Sequence, residues 1–95
     1  MAYKIKITKW AYLDLENISS YIEGTFGEDS VTDFKSKIIA SISLLQEFPQ
    51  LGSIQNQDKG FRGFVIHKNT KVFYKFMNQQ VTILRFFDNL QKPSS

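Results

Sequence analysis

The chain has 95 residues, of which 42% are hydrophobic and 15% aromatic, and these values predict one compact domain spanning residues 1–95. It has no cysteine and a single histidine, which excludes disulfide bridges, thiolate chemistry and a histidine-cluster metal site, and we expect no cofactor. No apolar run approaches the ~18 residues that span a membrane and no signal-peptide core is present, so a cytoplasmic protein without a membrane partner is predicted.

Charge is distributed unequally along the sequence. From residue 59 onward, seven cations stand against the single carboxylate of Asp88, whereas residues 1–58 carry five lysines and eight carboxylates. The seven later cations are Lys59, Arg62, Lys68, Lys71, Lys75, Arg85 and Lys92. This segregation predicts a basic β-sheet on an acidic support, and it favours an acidic partner such as nucleic acid or an acidic protein.

The first quarter of the chain predicts a strand followed by a helix. Residues Tyr3 to Ile7 alternate apolar and cationic side chains, which is typical of a strand with one solvent-exposed face. Thr8 is a suitable N-cap, and apolar residues then recur at spacings of three and four. These signals predict a helix from about Lys9 to Glu23, ended by Gly24 in a left-handed cap.

A second helix follows after a short link. Asp29 or Ser30 is placed to cap it, and an apolar stripe continues from Val31 to Leu45. Pro49 ends this helix because proline disfavours helical backbone at the residue before it. Since the link between the two helices is short, they are expected to form an antiparallel hairpin.

The second half predicts three strands after a polar surface loop. The loop runs from Leu51 to Gly60, and the strands are Phe61 to His67, Lys71 to Met77 and Val81 to Phe87. The order β-α-α-β-β-β predicts an α+β fold, in which the helical hairpin packs on one face of a mainly antiparallel four-stranded sheet.

Alternation assigns the two faces of the middle of these strands but not of the last one. The uncharged set of Val72, Tyr74 and Phe76 should face the helices. The opposite set, which should face solvent or a ligand, is Lys71, Phe73, Lys75 and Met77. In the last strand the pattern leaves the choice open, because Val81, Ile83 and Phe87 oppose Leu84 and Phe86.

The candidate binding site is the basic cluster of the later strands. Its cations can bind phosphate, and Phe64 and Phe73 among them could stack on bases. The predicted partner-binding residues are Arg62, Lys68, Lys71, Phe73, Lys75 and Arg85. The alternative is that lysines on a solvent-exposed face of the sheet only keep the protein soluble and prevent sheet-to-sheet aggregation.

Proton-transfer chemistry finds little support in the sequence. His67 is the default candidate, but it stands at a strand end without an orienting carboxylate nearby, and a surface or turn histidine is the preferred interpretation. Asp88 is interpreted as an ion-pair or capping residue rather than a base. No set of nucleophile, base and orienting group can be assembled.

A succession of short motifs gives the chain a family resemblance from Tyr3 to Pro93. The first motif, of the form A-x-x-D-L-x-x-I-x-x-Y-I, begins at Ala11 and ends at Ile22. The later ones are a Phe-Gly link, Phe34, Ile38, Ile42, Leu45, Phe48-Pro49, Gly52, Arg62, Val72-Phe73-Tyr74-Lys75, Val81-Thr82-Ile83-Leu84 and Phe87 to Pro93. In order and spacing this resembles the RelE/ParE family of toxins from bacterial type II toxin-antitoxin, or plasmid stabilisation, modules.

The resemblance implies a growth-inhibiting toxin of the same β-α-α-β-β-β fold, neutralised by a cognate antitoxin that wraps around it. RelE-like members cut messenger RNA in the ribosome with basic residues on the sheet, and ParE-like members inhibit DNA gyrase. Arg62 and Lys71 match basic catalytic or phosphate-holding positions of the cleaving branch. However, Phe64 replaces a second lysine, and Leu90 stands where close relatives usually have arginine.

The segment from Phe87 to Gln91 also lacks the histidine or tyrosine that the cleaving members supply. We therefore expect a ParE-like gyrase inhibitor, held inactive by an antitoxin that covers the basic sheet face. The alternatives are a ribosome-dependent endoribonuclease, with Arg62 and Lys71 as its candidate catalytic residues, and a non-toxic nucleic-acid-binding relative. A homodimer is left open.

Overall fold

The part of the chain that the computed structural model describes, residues 2–67 and 70–88, forms two helices and five strands. The helices are α1 (Lys9–Phe26) and α2 (Glu28–Glu47), followed by a 3₁₀ turn at Pro49–Leu51. The strands are β1 (Lys4–Ile7), β2 (Ser53–Asn56), β3 (Phe61–His67), β4 (Thr70–Met77) and β5 (Gln80–Asp88).

The strands form one mixed sheet in the order β1-β5-β4-β3-β2. β1 pairs with β5 in parallel, and the other neighbours are antiparallel. The predicted α+β fold with a helical hairpin on a mainly antiparallel sheet is confirmed, with five strands in place of four. The additional strand is β2, which falls in the predicted loop. All four of its residues are exposed at the edge of the sheet, so it carries no burial pattern that the sequence could show.

The core lies between the helical hairpin and one face of the sheet. On the sheet side, Val72 and Tyr74 are fully buried and Phe76 packs against them, so the predicted inward face of β4 is confirmed. The helices contribute the buried side chains of Ala11, Ile18, Ile22, Phe34, Ile38 and Leu45. On each helix these positions are four or seven residues apart, which corresponds to about one or two helical turns and places them on one buried stripe.

A β-bulge in β5 explains why its sequence did not reveal an inward face. Tyr74 of β4 lies opposite Ile83, but the preceding Phe73 lies opposite Arg85, which leaves Leu84 as an extra residue. An extra residue shifts the two-residue alternation by one position. The side chains that consequently face the core on both sides of the bulge are Val81, Ile83 and Phe86.

The turn between the helices depends on one glycine. Helix α1 continues through Gly24, the predicted cap, and ends at Phe26, so that predicted boundary is wrong. Gly27 alone separates the helices and has φ 94° and ψ 176°, a conformation that is essentially restricted to glycine. Gly24 is exposed within the last turns of α1, where a β-carbon would meet no atom within 4 Å.

Thr8 connects β1, α1 and β5. Its Oγ1 caps α1 by accepting a hydrogen bond from the Ala11 N–H at 3.1 Å, as the sequence predicted. The same hydroxyl donates to the Leu84 carbonyl at 2.9 Å, and the Thr8 N–H donates to the Ile83 carbonyl at 3.0 Å. The start of α1 is thereby attached to the bulged part of β5.

Tyr74 holds the segment after α2 against the sheet. Its buried hydroxyl donates to the Pro49 carbonyl at 2.5 Å and accepts from the Gly52 N–H at 2.9 Å. Burial raises the pKa of Tyr74 above its ordinary value, although the Gly52 N–H and the charge of Arg62 act in the opposite direction. The phenol therefore remains protonated and serves as donor and acceptor at once.

We expect Gly24→Ala and Gly27→Ala to change stability in opposite directions. Alanine at the open, helical position 24 should stabilise the protein by ~0.5–1 kcal/mol, because it lowers the entropy of the unfolded chain. At position 27 the positive φ should make alanine destabilising by ~1–3 kcal/mol. Urea unfolding followed by circular dichroism measures both changes, and a destabilised Gly24→Ala would contradict the assigned extent of α1.

Removal of one oxygen should show how much the Tyr74 contact contributes. In Tyr74→Phe, the buried Pro49 carbonyl and Gly52 N–H lose their partner, and we expect a loss of ~1–3 kcal/mol in the free energy of unfolding. Because this chain is short, the melting temperature should fall by ~4–8 °C per kcal/mol. Tyr12→Phe, on the exposed side of α1, is the matched control and should leave the melting temperature nearly unchanged.

Candidate functional site

The face of the sheet that points away from the helices, called the open face below, presents basic and aromatic side chains. Residues directly opposite one another in paired strands share a face, so the register identifies its members. They are Lys4, Lys6, Phe61, Val65, Lys71, Phe73, Lys75, Met77, Gln80, Thr82, Arg85 and Phe87. None of these described strand residues is acidic.

Cations and apolar groups alternate across the open face. Lys71 stands between Val65 and Phe87, and Phe73 stands between Gly63 and Arg85. In the next row, Lys75 lies between Phe61 and Thr82, and Thr82 in turn pairs with Lys6 of β1. Along β4, the successive open-face residues Lys71, Phe73 and Lys75 are about 6.8 Å apart. The surface therefore offers charge and apolar contact at closely spaced points.

Gly63 gives Lys71 its position. A β-carbon on Gly63 would come within 2.6 Å of Lys71 Cε and 3.2 Å of its Nζ. The lysine side chain therefore lies across the glycine backbone, beside the amide of Gln55, which is 3.3 Å from the same point. The absence of a side chain at position 63 lets the Lys71 stem lie flat on the sheet while the ammonium stays exposed.

The aromatic rings of the open face are accessible to a partner. Phe61 and Phe73 form a tilted pair with centroids 5.5 Å apart, and both are half-buried. Phe87 is 49% exposed, and its ring lies 5.7 Å from the Arg85 guanidinium carbon. Several exposed apolar groups on one face are typical of an interaction surface rather than of plain solvent exposure.

Arg85 is held by an acidic residue of α1. Asp14 accepts from Arg85 Nε at 2.7 Å, from Arg85 Nη2 at 2.9 Å and from the Phe86 N–H at 3.0 Å. Burial alone would raise the pKa of Asp14, but the bonds from Arg85 and Phe86, together with the Arg85 charge, lower it below its ordinary value. The carboxylate is therefore ionised at neutral pH, and it compensates the charge of Arg85.

The prediction that Arg62 joins the basic face is wrong. Arg62 lies opposite Tyr74, whose side chain faces the core, so the two share the helix side of the sheet. Its Nη1 donates to the Gly52 carbonyl at 2.8 Å and to the Gln50 carbonyl at 3.1 Å. Arg62 thus holds the chain that enters β2, a structural role that the basic sequence pattern did not reveal.

The other predicted residues have different outcomes. Lys71, Phe73 and Lys75 lie together on the open face, with Arg85 at its margin. Phe64 does not stack there, because it pairs with Val72 and packs against the core. Lys68 and Leu90 lie outside the described residues, as does the side chain of His67.

Two open-face cations escaped the sequence analysis as site residues. Lys4 and Lys6 lie opposite Gln80 and Thr82, because β1 pairs with β5. The alternation in β1 showed that both lysines face solvent, but only strand order places them beside the cations of β4.

The opposite layer carries the opposite charge. Helices α1 and α2 contain seven carboxylates and three lysines, and one exposed ion pair, Lys37 with Asp33, spans 3.2 Å on α2. A separate apolar groove of about 420 Å³ lies between the helices, lined in part by Tyr12, Leu15 and Ile39. The sign segregation seen along the sequence is therefore also a segregation between two sides of the molecule.

Two further features bear on function. Within residues 2–67 and 70–88, no group of three potential His, Cys, Asp or Glu ligands is placed to hold a metal ion. No helix of the described chain combines the length and the apolar character that crossing a membrane would demand.

Several solved structures with the same fold come from toxin-antitoxin systems. A chain of the chromosomal ParDE system of P. aeruginosa matches with a TM-score of 0.77 at 18% identity, over 92% of this chain and 96% of that one. A chain of the RelBE2 toxin-antitoxin complex of Mycobacterium tuberculosis matches with 0.61 at 16% identity, over 93% and 99%. A chain of the E. coli DinJ-YafQ complex matches with 0.64 at 12% identity, over 99% and 100%.

At these identities the structures show a shared fold, and the family follows from the sequence. No curated protein matches the chain significantly. However, the sequence model of the ParE toxin family, described as the ParE toxin of the type II toxin-antitoxin system parDE, matches residues 5–93. This match spans nearly the whole chain, in agreement with the resemblance drawn from its motifs. The chain belongs to the ParE toxin family of type II toxin-antitoxin systems.

Proposed function

We propose that this protein arrests growth by inhibiting DNA gyrase in the cytoplasm, and that the open face is the surface that contacts the target. The observation that carries the proposal is the composition of that face. Four lysines, Lys4, Lys6, Lys71 and Lys75, surround accessible phenylalanine rings, with no carboxylate among the described strand residues there. Such a surface attracts an acidic partner by charge and retains it by apolar contact.

The same composition favours inhibition over messenger RNA cleavage. Acid-base catalysis of phosphodiester cleavage requires side chains that exchange a proton near neutral pH, and typically contributes ~10²–10⁴ in rate. The open-face side chains described here are lysines, an ion-paired arginine and uncharged groups. Arg62, one of the two catalytic candidates, is engaged with backbone carbonyls on the other side of the sheet. Lys71 alone remains, and inhibition by binding needs no proton transfer.

The cognate antitoxin is proposed to cover the open face. An acidic or amphipathic segment laid across β4 would neutralise Lys71 and Lys75 and bury Phe73 at the same time. Because one surface cannot hold two partners, antitoxin and target would compete for it. This arrangement explains how a bound antitoxin keeps the toxin inactive without altering its fold.

The target can be identified with purified components. We expect the protein to inhibit supercoiling of a relaxed plasmid by DNA gyrase, and to leave messenger RNA on stalled ribosomes intact in a primer-extension assay. The cognate antitoxin should restore supercoiling in proportion to its concentration. Cleavage of ribosome-bound messenger without any effect on gyrase would overturn the proposal in favour of the endoribonuclease.

Charge reversal tests the contact surface. Lys71→Glu and Lys75→Glu should each weaken gyrase inhibition by at least tenfold, because each places a like charge against an acidic partner. Lys35→Glu, an exposed lysine of α2 on the opposite layer, is the matched control and should inhibit like the unmodified protein. Melting temperatures of all three variants establish that they are folded.

A different pattern would move the site elsewhere. If Lys35→Glu lost inhibition while both β4 variants kept it, the target would contact the helical layer. The half-inhibitory concentration in the supercoiling assay is the quantity to compare, measured at two salt concentrations. Loss of inhibition should be larger at the lower salt, where charges on the surface are less screened.

A further inference from the structure

Asp14 lies beside the outer edge of β5, beyond the end of β1. β1 ends at Ile7, opposite Ile83, and within residues 2–67 and 70–88 no strand pairs with the outer edge of β5 beyond that point. Asp14, in the second turn of α1, accepts a hydrogen bond from the Phe86 N–H at this edge. Its side chain is only 13% exposed and binds Arg85 through two nitrogen atoms. The Asp14 carboxylate thus accepts hydrogen bonds from the β5 backbone and from the Arg85 guanidinium at the same time.

The two hydrogen bonds to Asp14 use only part of the Arg85 guanidinium. The Nε hydrogen and one Nη2 hydrogen point to Asp14, while both Nη1 hydrogens and the second Nη2 hydrogen remain outside this fork. The Arg85 side chain is still 47% exposed, opposite Phe73 and beside the Phe87 ring. A second planar anion can therefore approach the outer edge of the guanidinium from the open face.

An arginine side chain that is already immobilised in the free protein can bind an anion with higher affinity. A free arginine loses the entropy of several rotatable bonds when it binds, and immobilising such a side chain costs a complex ~0.5–1.5 kcal/mol. With a two-point hydrogen bond to a carboxylate that is only 13% exposed, the protein incurs that cost during folding. The guanidinium then meets its partner in a set orientation, which a planar carboxylate can match with two parallel hydrogen bonds.

We propose that Asp14 is a positioning residue, which holds Arg85 so that its outer edge binds a carboxylate of the partner protein on the open face. The proposal rests on the proposed function only in that the partner contacts this face. A carboxylate is the expected group because gyrase and the antitoxin are both proteins, and acidic side chains are what a lysine-rich surface selects.

If Asp14 positions Arg85, one substitution of Asp14 should weaken binding of an acidic partner. If Asp14 only compensates charge, the same substitution should strengthen that binding. Asp14→Asn keeps the size of the side chain and an oxygen for the Phe86 N–H, but it removes the negative charge and the strong fork with Arg85. If Asp14 only offsets the charge of Arg85, the variant is more basic and should bind an acidic partner more tightly. If Asp14 positions Arg85, the variant should bind more weakly.

The first measurement is the half-inhibitory concentration in the gyrase supercoiling assay. We expect Asp14→Asn to raise it about threefold to tenfold, the factor that corresponds to ordering one long side chain. Asp33→Asn, which breaks the exposed ion pair with Lys37 on α2 by the same chemical change, should leave it unchanged. An unchanged or lower value for Asp14→Asn overturns the proposal.

A double-mutant cycle separates positioning from stability. Arg85→Lys keeps the charge but cannot form the fork, so it should weaken inhibition about as much as Asp14→Asn. Once the fork is lost, a second change has little left to remove, and the double variant should be no weaker than the weaker single variant. Independent, multiplying effects that follow the melting temperatures would show a merely structural role and overturn the proposal.

A probe that does not involve gyrase makes the two proposals separable. Acetate is titrated against the ¹⁵N-labelled protein at constant ionic strength, and the Arg85 Nε–Hε resonance is followed. We expect a saturable shift in the unmodified protein and in Asp33→Asn, and a much weaker one in Asp14→Asn. With this result, a failure to inhibit gyrase contradicts only the proposed target. Without the Asp14 dependence, the positioning role is wrong whatever the target is.

Discussion

The parallel pairing of β1 with β5 is the contact on which the rest of the molecule depends. It joins residues near the two ends of the chain, Lys4–Ile7 with Gln80–Ile83, and thereby places the helical hairpin over the sheet. Thr8 extends this contact by capping α1 while it bonds to the Ile83 and Leu84 carbonyls. Where β1 ends, Asp14 replaces it as the partner of β5. Contacts along the outer edge of β5 therefore position β1, α1 and the candidate site.

The two layers of the molecule differ in charge. The helices bury an apolar stripe against the sheet and expose carboxylates, whereas the open face carries lysines among aromatic rings. Asp14 of the acidic helical layer contacts the basic open face, where it accepts two short hydrogen bonds from Arg85. An anionic partner is thus directed to the open face, and the proposed competition between antitoxin and target would have this charge difference as its physical basis.

Arg62 shows how far a basic pattern can be interpreted without coordinates. It follows Lys59 and precedes Lys71 in the most cationic part of the chain, yet its register with Tyr74 places it on the helix side. There its planar guanidinium bridges the Gln50 and Gly52 carbonyls beside the Tyr74 hydroxyl. Charge segregation along a sequence predicts which strands are basic, but only pairing decides which side of the sheet each cation occupies.

Local periodicity and the order of motifs were enough to predict the α+β class, the helical hairpin, the inward face of β4 and the toxin family, because both are properties of residues close together in the chain. The remaining features became visible only in the three-dimensional arrangement. The bulge at Leu84 lets β5 bury residues of both alternation phases, and β2 pairs without any apolar pattern of its own. The gathering of Lys4 and Lys6 with Lys75, and of Asp14 with Arg85, depends on strand order and long-range contacts, which leave no signature in the spacing of residues.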